Sequence, residues 1–285
     1  MRAPWRDRQG RFLPFKAAVL ASGFIPGLVY GFWWSTGALG GRPVTEAIHG
    51  TGDWAVRWLL ISLAITPFAR IVDWPKLLTV RRIAGVTALA YAVLHLLLFF
   101  VDQKLNLLTV VSEIALRFYL TIGFIALLGM IALGVTSSDA AMKRMAKRWK
   151  QLHRLAYPIG VLVLLHFYLQ TKANVAEPVF VSGLFLWLMV WRLLPVAYRT
   201  GMPVLCALVP VSFELTAAAE FAWYGLATGR DPFHLLNANW AFRYFPRPAH
   251  EVAIVAMAVT AVIAVRRMTS RPPMARQRPI GAKAG

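Results

Sequence analysis

The amino-acid sequence predicts an all-α fold, a polytopic membrane helix bundle of about eight transmembrane helices. Of its 285 residues, 58% are hydrophobic and only 15% are charged, well below the roughly 25% charged residues of a soluble globular domain. The mean hydropathy is +0.57. Apolar runs recur at the length of about 20 residues that an α-helix needs to cross a bilayer. We therefore expect a multi-pass membrane protein.

Eight spans are predicted in order along the chain. The first could be a cleaved signal peptide, but its apolar run, residues 17–34, is longer than a signal sequence uses and has no clear cleavage site. We therefore expect a retained helix. The predicted spans are residues 16–34, 55–72, 83–101, 118–136, 155–172, 178–195, 202–222 and 250–266. The longest gap, residues 225–249, could lie along the membrane interface.

The net charge of +19 would suggest nucleic-acid binding in a soluble chain. Here the basic residues cluster in short loops and tails, which favours cytoplasmic loops and contact with membrane lipid, and no nucleic acid. The clustered residues are Lys76, Arg81, Arg82, the run MKRMAKRWKQ, Arg192, Arg199 and the C-terminal tail. Their distribution predicts that both termini are cytoplasmic. The run MKRMAKRWKQ could also dock an acidic electron donor.

Several kinds of site are missing from the sequence. The single cysteine, Cys206, leaves no internal disulfide and no thiolate cluster for zinc or iron–sulfur. No GxGxxG, P-loop, HExxH or CxxC motif is present. We therefore expect no built-in NAD(P)H site, so an electron donor would be a quinol or a separate protein.

Two of the six histidines, His95 and His166, lie well inside predicted spans. Each follows the cytoplasmic entry of its span by twelve residues, or about 18 Å of helix, and the two spans run parallel. An intramembrane imidazole needs a polar partner. Two at one depth favour axial ligation of a porphyrin iron. Hydrogen bonding of each histidine to a neighbouring helix is the alternative.

Other residues carry weaker predictions. His153, at the cytoplasmic mouth of the fifth span, is a candidate ligand of a second heme or an interfacial residue beside Trp149. Arg81 and Arg82 could contact a heme propionate or a flavin phosphate, or could only mark the cytoplasmic side. Four glycines could leave room for a macrocycle or serve helix contacts, and two carboxylates in span seven could serve protons, a quinone or a helix contact. These are Gly85, Gly123, Gly129 and Gly160, and Glu214 and Glu220.

Three segments carry a resemblance to a known family. They are GALGGRPVTEAIHGTGDWAVRWLLISLAITPFARI, RRIAGVTALAYAVLHLLLFF and KRWKQLHRLAYPIGVLVLLHFYLQ. An HxTG motif before a span ending in TP, together with LHxxxYxxxxxxxxHF, resembles the MsrQ (YedZ) family. These proteins are the heme-binding membrane subunits of the periplasmic methionine sulfoxide reductase system, in the ferric-reductase-like transmembrane group. The similarity spans roughly residues 15–197.

The resemblance implies an electron-transfer subunit that binds heme b, one or two groups, with ligands among His95, His166 and His153. It also implies an association with FMN, and His49 matches a family position on the outer side. Electrons would come from the quinone pool or a cytoplasmic flavin reductase. They would pass to a periplasmic molybdopterin-containing methionine sulfoxide reductase catalytic subunit, which repairs oxidised proteins. Substrate reduction is thus expected in a partner.

The chain departs from the six-span family pattern by adding two C-terminal spans, and it has RRIAGV where the family tends to have RRxLGL. We therefore expect a cytoplasmic N-terminal tail (1–14), a heme-binding core (15–197), a two-helix extension (198–266) and a basic disordered tail (267–285). A ferric- or cupric-reductase-like membrane cytochrome b is the alternative function. A proton-coupled transporter that uses the intramembrane histidines and carboxylates is a distant one.

Overall fold

The computed structural model describes residues 5–6, 9–171, 174–241 and 244–269. Within this part of the chain it contains twelve α-helices. They are α1 Pro14–Ser35, α2 Pro43–Ile71, α3 Arg81–Asp102, α4 Leu107–Leu116, α5 Phe118–Val135, α6 Asp139–Met145, α7 Lys147–Leu152, α8 Ala156–Thr171, α9 Ala176–Leu193, α10 Met202–Trp223, α11 Pro232–Trp240 and α12 Pro248–Thr269. Short 3-10 segments, Pro75–Val80 and His153–Leu155, lead into α3 and α8, and a π-helical turn, Tyr224–Thr228, follows α10.

The membrane character of the bundle follows from its long helices and its surface. Eight helical segments of the described chain are long and apolar enough to cross a membrane. Large apolar side chains such as Phe24 and Leu28 are exposed on the outside, at 63% and 71%, as expected where lipid is the solvent. The predicted all-α, multi-pass fold class is confirmed.

The start of α2 and the presence of α4 differ from the sequence-based prediction. Helix α2 begins at Pro43 rather than at residue 55, with proline in its first turn and Glu46 near its N-terminus, both favourable positions. Helix α4 falls in a segment predicted to be a loop. It is capped by Asn106, whose side chain accepts a hydrogen bond from the Thr109 N–H at 3.1 Å. Its ten residues are too few to cross a bilayer, so its apolar run does not indicate a span.

The ends of the chain bear on the predicted tails. Helix α12 continues to Thr269, three residues past the predicted span. The basic tail predicted for residues 267–285 therefore begins within this helix, and the prediction of disorder from residue 270 onward lies outside the described residues.

Helix α2 lies at the centre of the bundle. Ala55 and Leu59 pack against Ala84 and Ala88 of α3, and all four are buried. Small residues let membrane helices approach closely, which increases dispersion contacts. The other face of α2 packs on α8 and α9. Helix α2 therefore joins the first and second halves of the core.

Pro67 interrupts the hydrogen-bond ladder of α2. It has no N–H to donate to the carbonyl of Leu63, one turn earlier. The Arg192 side chain of α9 donates to that carbonyl, and also to the carbonyl of Leu188 at 2.7 Å. The carbonyl released by proline is thus satisfied by a neighbouring helix, as the membrane interior requires.

Tyr91 joins α3 to α1 through the backbone of α1. Its hydroxyl accepts a hydrogen bond from the Gly27 N–H and donates one to the Gly23 carbonyl, each at 2.8 Å. These two backbone groups are partners in an uninterrupted α-helix. The hydroxyl is therefore inserted into one turn of α1 and fixes that turn against α3.

The C-terminal helices α10 and α12 pack on α9. Buried Trp187 and Trp191 of α9 lie in one cluster with Leu205 of α10 and Ile263 of α12. Gly183 marks the closest approach, because a Cβ there would lie 2.2 Å from Thr216 Oγ1 and 2.8 Å from Val252 Cγ2. The extension therefore shares a continuous core with the preceding helices.

A buried polar network holds the loop between α10 and α12. Arg247 Nη2 lies 2.7 Å from Glu220 Oε1, and Arg247 Nε donates to Asn239 Oδ1 at 2.9 Å. Asn239 Nδ2 donates to Glu220 Oε2 at 2.8 Å. The side chains of Glu220 and Arg247 are only 6% and 17% exposed. This network ties α11, which carries Asn239, to the end of α10.

Candidate heme site

The structure brings His95 of α3 and His166 of α8 together inside the bundle. Their ring centroids are 6.3 Å apart and their planes are nearly perpendicular, at 86°. Both rings are half-buried and line the same cavity. The two histidines predicted to lie at the same depth therefore also point into the same cavity.

Each imidazole is held by a backbone carbonyl of a neighbouring helix. His95 Nδ1 lies 2.8 Å from the carbonyl oxygen of Ile48 in α2, and His166 Nδ1 lies 2.8 Å from that of Tyr119 in α5. A carbonyl oxygen can only accept, so each Nδ1 carries the hydrogen and each Nε2 keeps a lone pair. This arrangement orients a metal-ligating histidine and fixes its tautomer.

A cavity of about 600 Å³ lies among α2, α3, α5 and α8, within the roughly 300–1,000 Å³ of small-molecule and cofactor sites. Its walls are mainly apolar and include Ala55, Leu59, Ala126, Met130 and Val163. Polar residues line the end that the sequence predicts to face the periplasm: His49, Asp53, Gln170, Asn174 and Glu177. The cavity therefore combines an apolar interior with a polar mouth.

The geometry fits an iron held by both histidines. A first-row metal bound by two opposed imidazole nitrogens at about 2 Å each places the ring centroids roughly 6 Å apart, as observed here. The cavity has the size of a cofactor site, and Gln170 Oε1, in its wall, is buried without a hydrogen-bond partner in the described part of the chain. Among these described residues, no cluster of three or more His, Cys, Asp or Glu side chains could hold a bare metal ion. Two histidine imidazoles facing one cavity fit the axial ligands of a heme iron.

His153 lies outside this cavity. It begins the short segment leading into α8, thirteen residues before His166, or about 20 Å along a helix. Its ring stacks on Trp149 with centroids 3.8 Å apart, Nδ1 contacts the Trp149 carbonyl at 3.1 Å, and Nε2 lies 3.4 Å from Ser137 Oγ. The structure therefore does not bring His153 together with His95 and His166.

Arg81 and Arg82 lie at the start of α3, fourteen and thirteen residues before His95. Arg82 pairs with Asp139 at the start of α6 and donates to the Ser137 carbonyl at 3.3 Å. Neither arginine lines the cavity. Both share the predicted cytoplasmic end of the bundle with His153.

The glycines predicted to make room for a macrocycle separate into two groups. Gly123 lines the cavity. The other three face side chains of adjacent helices: Gly85 faces Ser62, Gly129 faces Ile159, and Gly160 faces Phe185. For these three, the macrocycle interpretation is wrong, because their positions serve close helix packing.

The two carboxylates of span seven also lie elsewhere. Glu214 is exposed on the outside of α10. Glu220 is bound in the network with Arg247 and Asn239. Neither lines the histidine cavity, so the intramembrane histidines and carboxylates do not form one proton path here.

Sequence reasoning missed the groups that orient the histidines, namely the carbonyls of Ile48 and Tyr119 and the adjacent Gly52. Each histidine follows its carbonyl partner by 47 positions, but this spacing identifies no partner until the helix packing is known. His49, predicted only as an outer-side contact, lines the polar mouth of the cavity.

Comparison with known proteins identifies similar sequences. Residues 51–164 match the model of the family described as "Ferric reductase like transmembrane component". A relative named "Protein-methionine-sulfoxide reductase heme-binding subunit MsrQ" from Xanthomonas oryzae pv. oryzae (strain MAFF 311018) is 39% identical over 184 residues, which cover 62% of this chain and 84% of the relative. Proteins of the same name from Xanthomonas campestris pv. campestris (strain 8004) and Rhodospirillum rubrum are 40% and 38% identical. These alignments cover 62% and 68% of this chain and 82% and 92% of those relatives. No solved structure matches.

Proposed function

Since this chain belongs to the MsrQ family of heme-binding subunits, we propose that it binds heme b between His95 and His166 and transfers electrons across a membrane. The observation that carries the proposal is the pair of imidazoles whose ring centroids lie 6.3 Å apart, each with its Nδ1–H donated to a backbone carbonyl and its Nε2 available to iron. The catalytic event, reduction of methionine sulfoxide in oxidised proteins, occurs in a partner catalytic subunit.

The residues of the chain set the conditions for this chemistry. A bound heme b supplies one-electron redox chemistry, which the protein tunes through its axial ligands and their surroundings. Hydrogen bonds from the two Nδ1–H groups raise the basicity of the ligating nitrogens. The apolar walls formed by residues such as Leu59 and Met130 exclude water from the iron ligands and lower the local dielectric constant.

The orientation of the protein in the membrane follows from the distribution of charge. The basic segments at the ends of α3 and α9 and in α6–α7 favour a cytoplasmic position for that end, in a bacterial inner membrane with both termini cytoplasmic. Electrons enter there from the quinone pool or a cytoplasmic flavin reductase. They leave at the polar mouth near His49, toward a periplasmic molybdopterin-containing catalytic subunit.

The predicted cytoplasmic end also holds the residues of a further cofactor site. His153, Arg81 and Arg82 share that end, about 20 Å along the helices from the histidine pair. An imidazole and two guanidinium groups suit a second heme b or the phosphate of FMN. In this proposal His153 leaves its stack on Trp149 to serve as the second ligand site.

The first test is a dithionite-reduced minus oxidised visible spectrum of the purified protein. The wild type is expected to show a low-spin b-type heme. His95→Ala and His166→Ala are each expected to lose the low-spin signal of this heme, because each removes one of its two ligands. His234→Ala is the matched control, because His234 is exposed on α11 and outside the cavity.

The outcomes separate the parts of the proposal. A wild type without heme after heme-replete expression would contradict the function itself. Loss of the signal in only one of the two cavity variants would contradict the ligand pair. A His153→Ala variant that keeps its full heme content would contradict the proposed second heme site. The heme between His95 and His166 would not be affected by that result.

A second candidate function rests on the match of residues 51–164 to the ferric-reductase-like family model. A protein of that kind would pass electrons directly to an external ferric or cupric ion. Deleting the chain from its host distinguishes the two functions. Loss of methionine sulfoxide repair with intact surface iron reduction supports the proposed function, and the reverse result supports the second one.

A further inference from the structure

The two halves of the histidine cavity are built on the same plan. His166 lies 71 positions after His95, and the same offset relates Tyr119 to Ile48 and Gly123 to Gly52. It relates further residues of the wall as well, namely Ala55 and Ala126, Val56 and Leu127, Leu59 and Met130, Ala92 and Val163, and Leu96 and Phe167. The α2–α3 hairpin and the α5–α8 pair therefore contribute equivalent positions to one site.

In each half, the ring of the histidine rests against a glycine. A Cβ on Gly52 would lie 3.1 Å from Nδ1 and 3.2 Å from Cε1 of His95. A Cβ on Gly123 would lie 2.7 Å from Nδ1 and 2.8 Å from Cε1 of His166. Both distances are shorter than ordinary van der Waals contact, and the second leaves no room for a methyl group.

The glycine and the carbonyl that holds the same ring are one helical turn apart. In an α-helix the carbonyl of residue i points toward residue i+4. Gly52 is four residues after Ile48, and Gly123 is four residues after Tyr119. A histidine ring that donates its Nδ1–H to the carbonyl of residue i must therefore lie beside residue i+4. Only glycine at that position leaves room for the ring.

We infer that Gly52 and Gly123 are positioning residues for the heme of the proposed function. Each glycine allows its histidine ring to lie against the carbonyl one turn earlier in the helix. Together, the two contacts set the perpendicular orientation of the ring planes. The inference rests on the proposed function, and it assigns the orientation of the ligands to two glycines of the cavity wall.

The two glycines differ in how closely the histidine ring approaches them, so the inference predicts effects of different size. At Gly52, His95 needs to move by a few tenths of an ångström to accept a methyl group. At Gly123, His166 needs to move farther and loses its hydrogen bond to Tyr119. Removing such an orienting contact lowers the affinity of a metal site by about 10- to 100-fold. We therefore expect the larger effect at Gly123.

The test compares purified full-length Gly123→Ala and Gly52→Ala with two controls. Gly129→Ala lies on the same helix as Gly123 and is equally crowded, with a Cβ 2.8 Å from Ile159 Cδ1, but it faces no histidine. Gly85→Ala, with a Cβ 3.3 Å from Ser62 Oγ, is the control for Gly52. The readouts are heme content per protein and the low-temperature EPR spectrum of the ferric form, whose largest g value reports the angle between the ligand planes.

We expect Gly123→Ala to bind heme about 10- to 100-fold more weakly than Gly129→Ala, with high-spin character in the heme that remains. Gly52→Ala is expected to keep its heme and to shift the largest g value, whereas Gly85→Ala keeps the wild-type signal. The inference is overturned if Gly123→Ala and Gly129→Ala bind heme equally and Gly52→Ala keeps the wild-type g value. Heme in the wild type would still support the proposed function. A heme-free wild type overturns both. If Gly123→Ala does not fold, the g value of Gly52→Ala decides.

Discussion

Arg192 does for the carbonyl of Leu63 what a backbone N–H does for other carbonyls of α2. The residue one turn after Leu63 is Pro67, which has no N–H to donate. The guanidinium group of Arg192 crosses from α9 to fill that role, and its plane also lies over the Tyr157 ring, with Cζ 5.6 Å from the centroid. A buried carbonyl without a donor is costly in an apolar interior, so this contact stabilises the junction of α2 and α9.

Arg192→Met is expected to lower the free energy of unfolding by about 1–3 kcal/mol, because the Leu63 carbonyl loses its donor. The loss of stability is measured by heating the detergent-purified protein and using size-exclusion chromatography to quantify the folded fraction at each temperature. Pro67→Ala supplies the missing N–H, so the double variant Arg192→Met with Pro67→Ala should recover part of it. A double variant no more stable than Arg192→Met alone would show that the arginine acts through some other contact.

Tyr91→Phe is expected to have a smaller effect than Arg192→Met, because its backbone partners can replace it. Without the hydroxyl, the Gly27 N–H and the Gly23 carbonyl are again free to pair with each other inside α1. We expect a loss of about 1 kcal/mol or less, measured by the same unfolding experiment. A loss as large as that of Arg192→Met would mean that α1 cannot close this turn.

At the scale of the helices, close approach depends on glycines that face a partner helix. Gly183 of α9 lies against Thr216 of α10 and Val252 of α12, so three helices meet at one point. By contrast, Gly31 of α1 has no side chain within 4 Å of where its Cβ would be. Two glycines in apolar spans thus have opposite structural roles.

Gly183→Ala is expected to destabilise the protein by roughly 1–3 kcal/mol through overpacking, while leaving the heme spectrum intact, because Gly183 is outside the cavity. Gly31→Ala is the control. It should be neutral or stabilise the helix by about 0.5–1 kcal/mol, because alanine has a better helix propensity than glycine. Thermal midpoints and heme content of the two variants provide the comparison, and equal midpoints would contradict the packing argument.

The membrane-spanning helices could be predicted because the length and hydropathy of an apolar run are enough to indicate a span. The eight spans and the matched depth of His95 and His166 follow from counting residues along the chain. The start of α2 at Pro43 and the short helix α4 do not, since neither changes the apolar run that signals a crossing. The partners of the histidines also escaped prediction, because the Ile48 and Tyr119 carbonyls lie on other helices and their direction depends on how those helices pack.

At the scale of the whole molecule, the C-terminal helices form a second layer against α9. Their own polar core, Glu220 with Arg247 and Asn239, lies apart from the histidine cavity. The stability of this layer and the histidine cavity therefore depend on separate sets of residues, joined through α9.

Glu220→Gln is expected to destabilise the C-terminal layer by roughly 3–5 kcal/mol, because it leaves the buried Arg247 charge without its ion-pair partner. Adding Arg247→Gln removes that charge, so the double variant should lose less than the single one. Limited proteolysis of the α10–α12 loop and the heme spectrum are the two readouts. A change in the heme spectrum of Glu220→Gln would contradict the separation of the two sets.

The equal spacing of the two histidines from their carbonyl partners has a consequence for biosynthesis. In each half the acceptor is made 47 residues before the imidazole that needs it. When His95 leaves the ribosome, the segment carrying Ile48 has already been synthesised, and the same holds for His166 and the segment carrying Tyr119. Each polar N–H can thus be satisfied as soon as its own hairpin forms, and neither histidine must wait in the lipid for the other. In the proposed function only the iron depends on both halves, so it binds no earlier than the synthesis of α8.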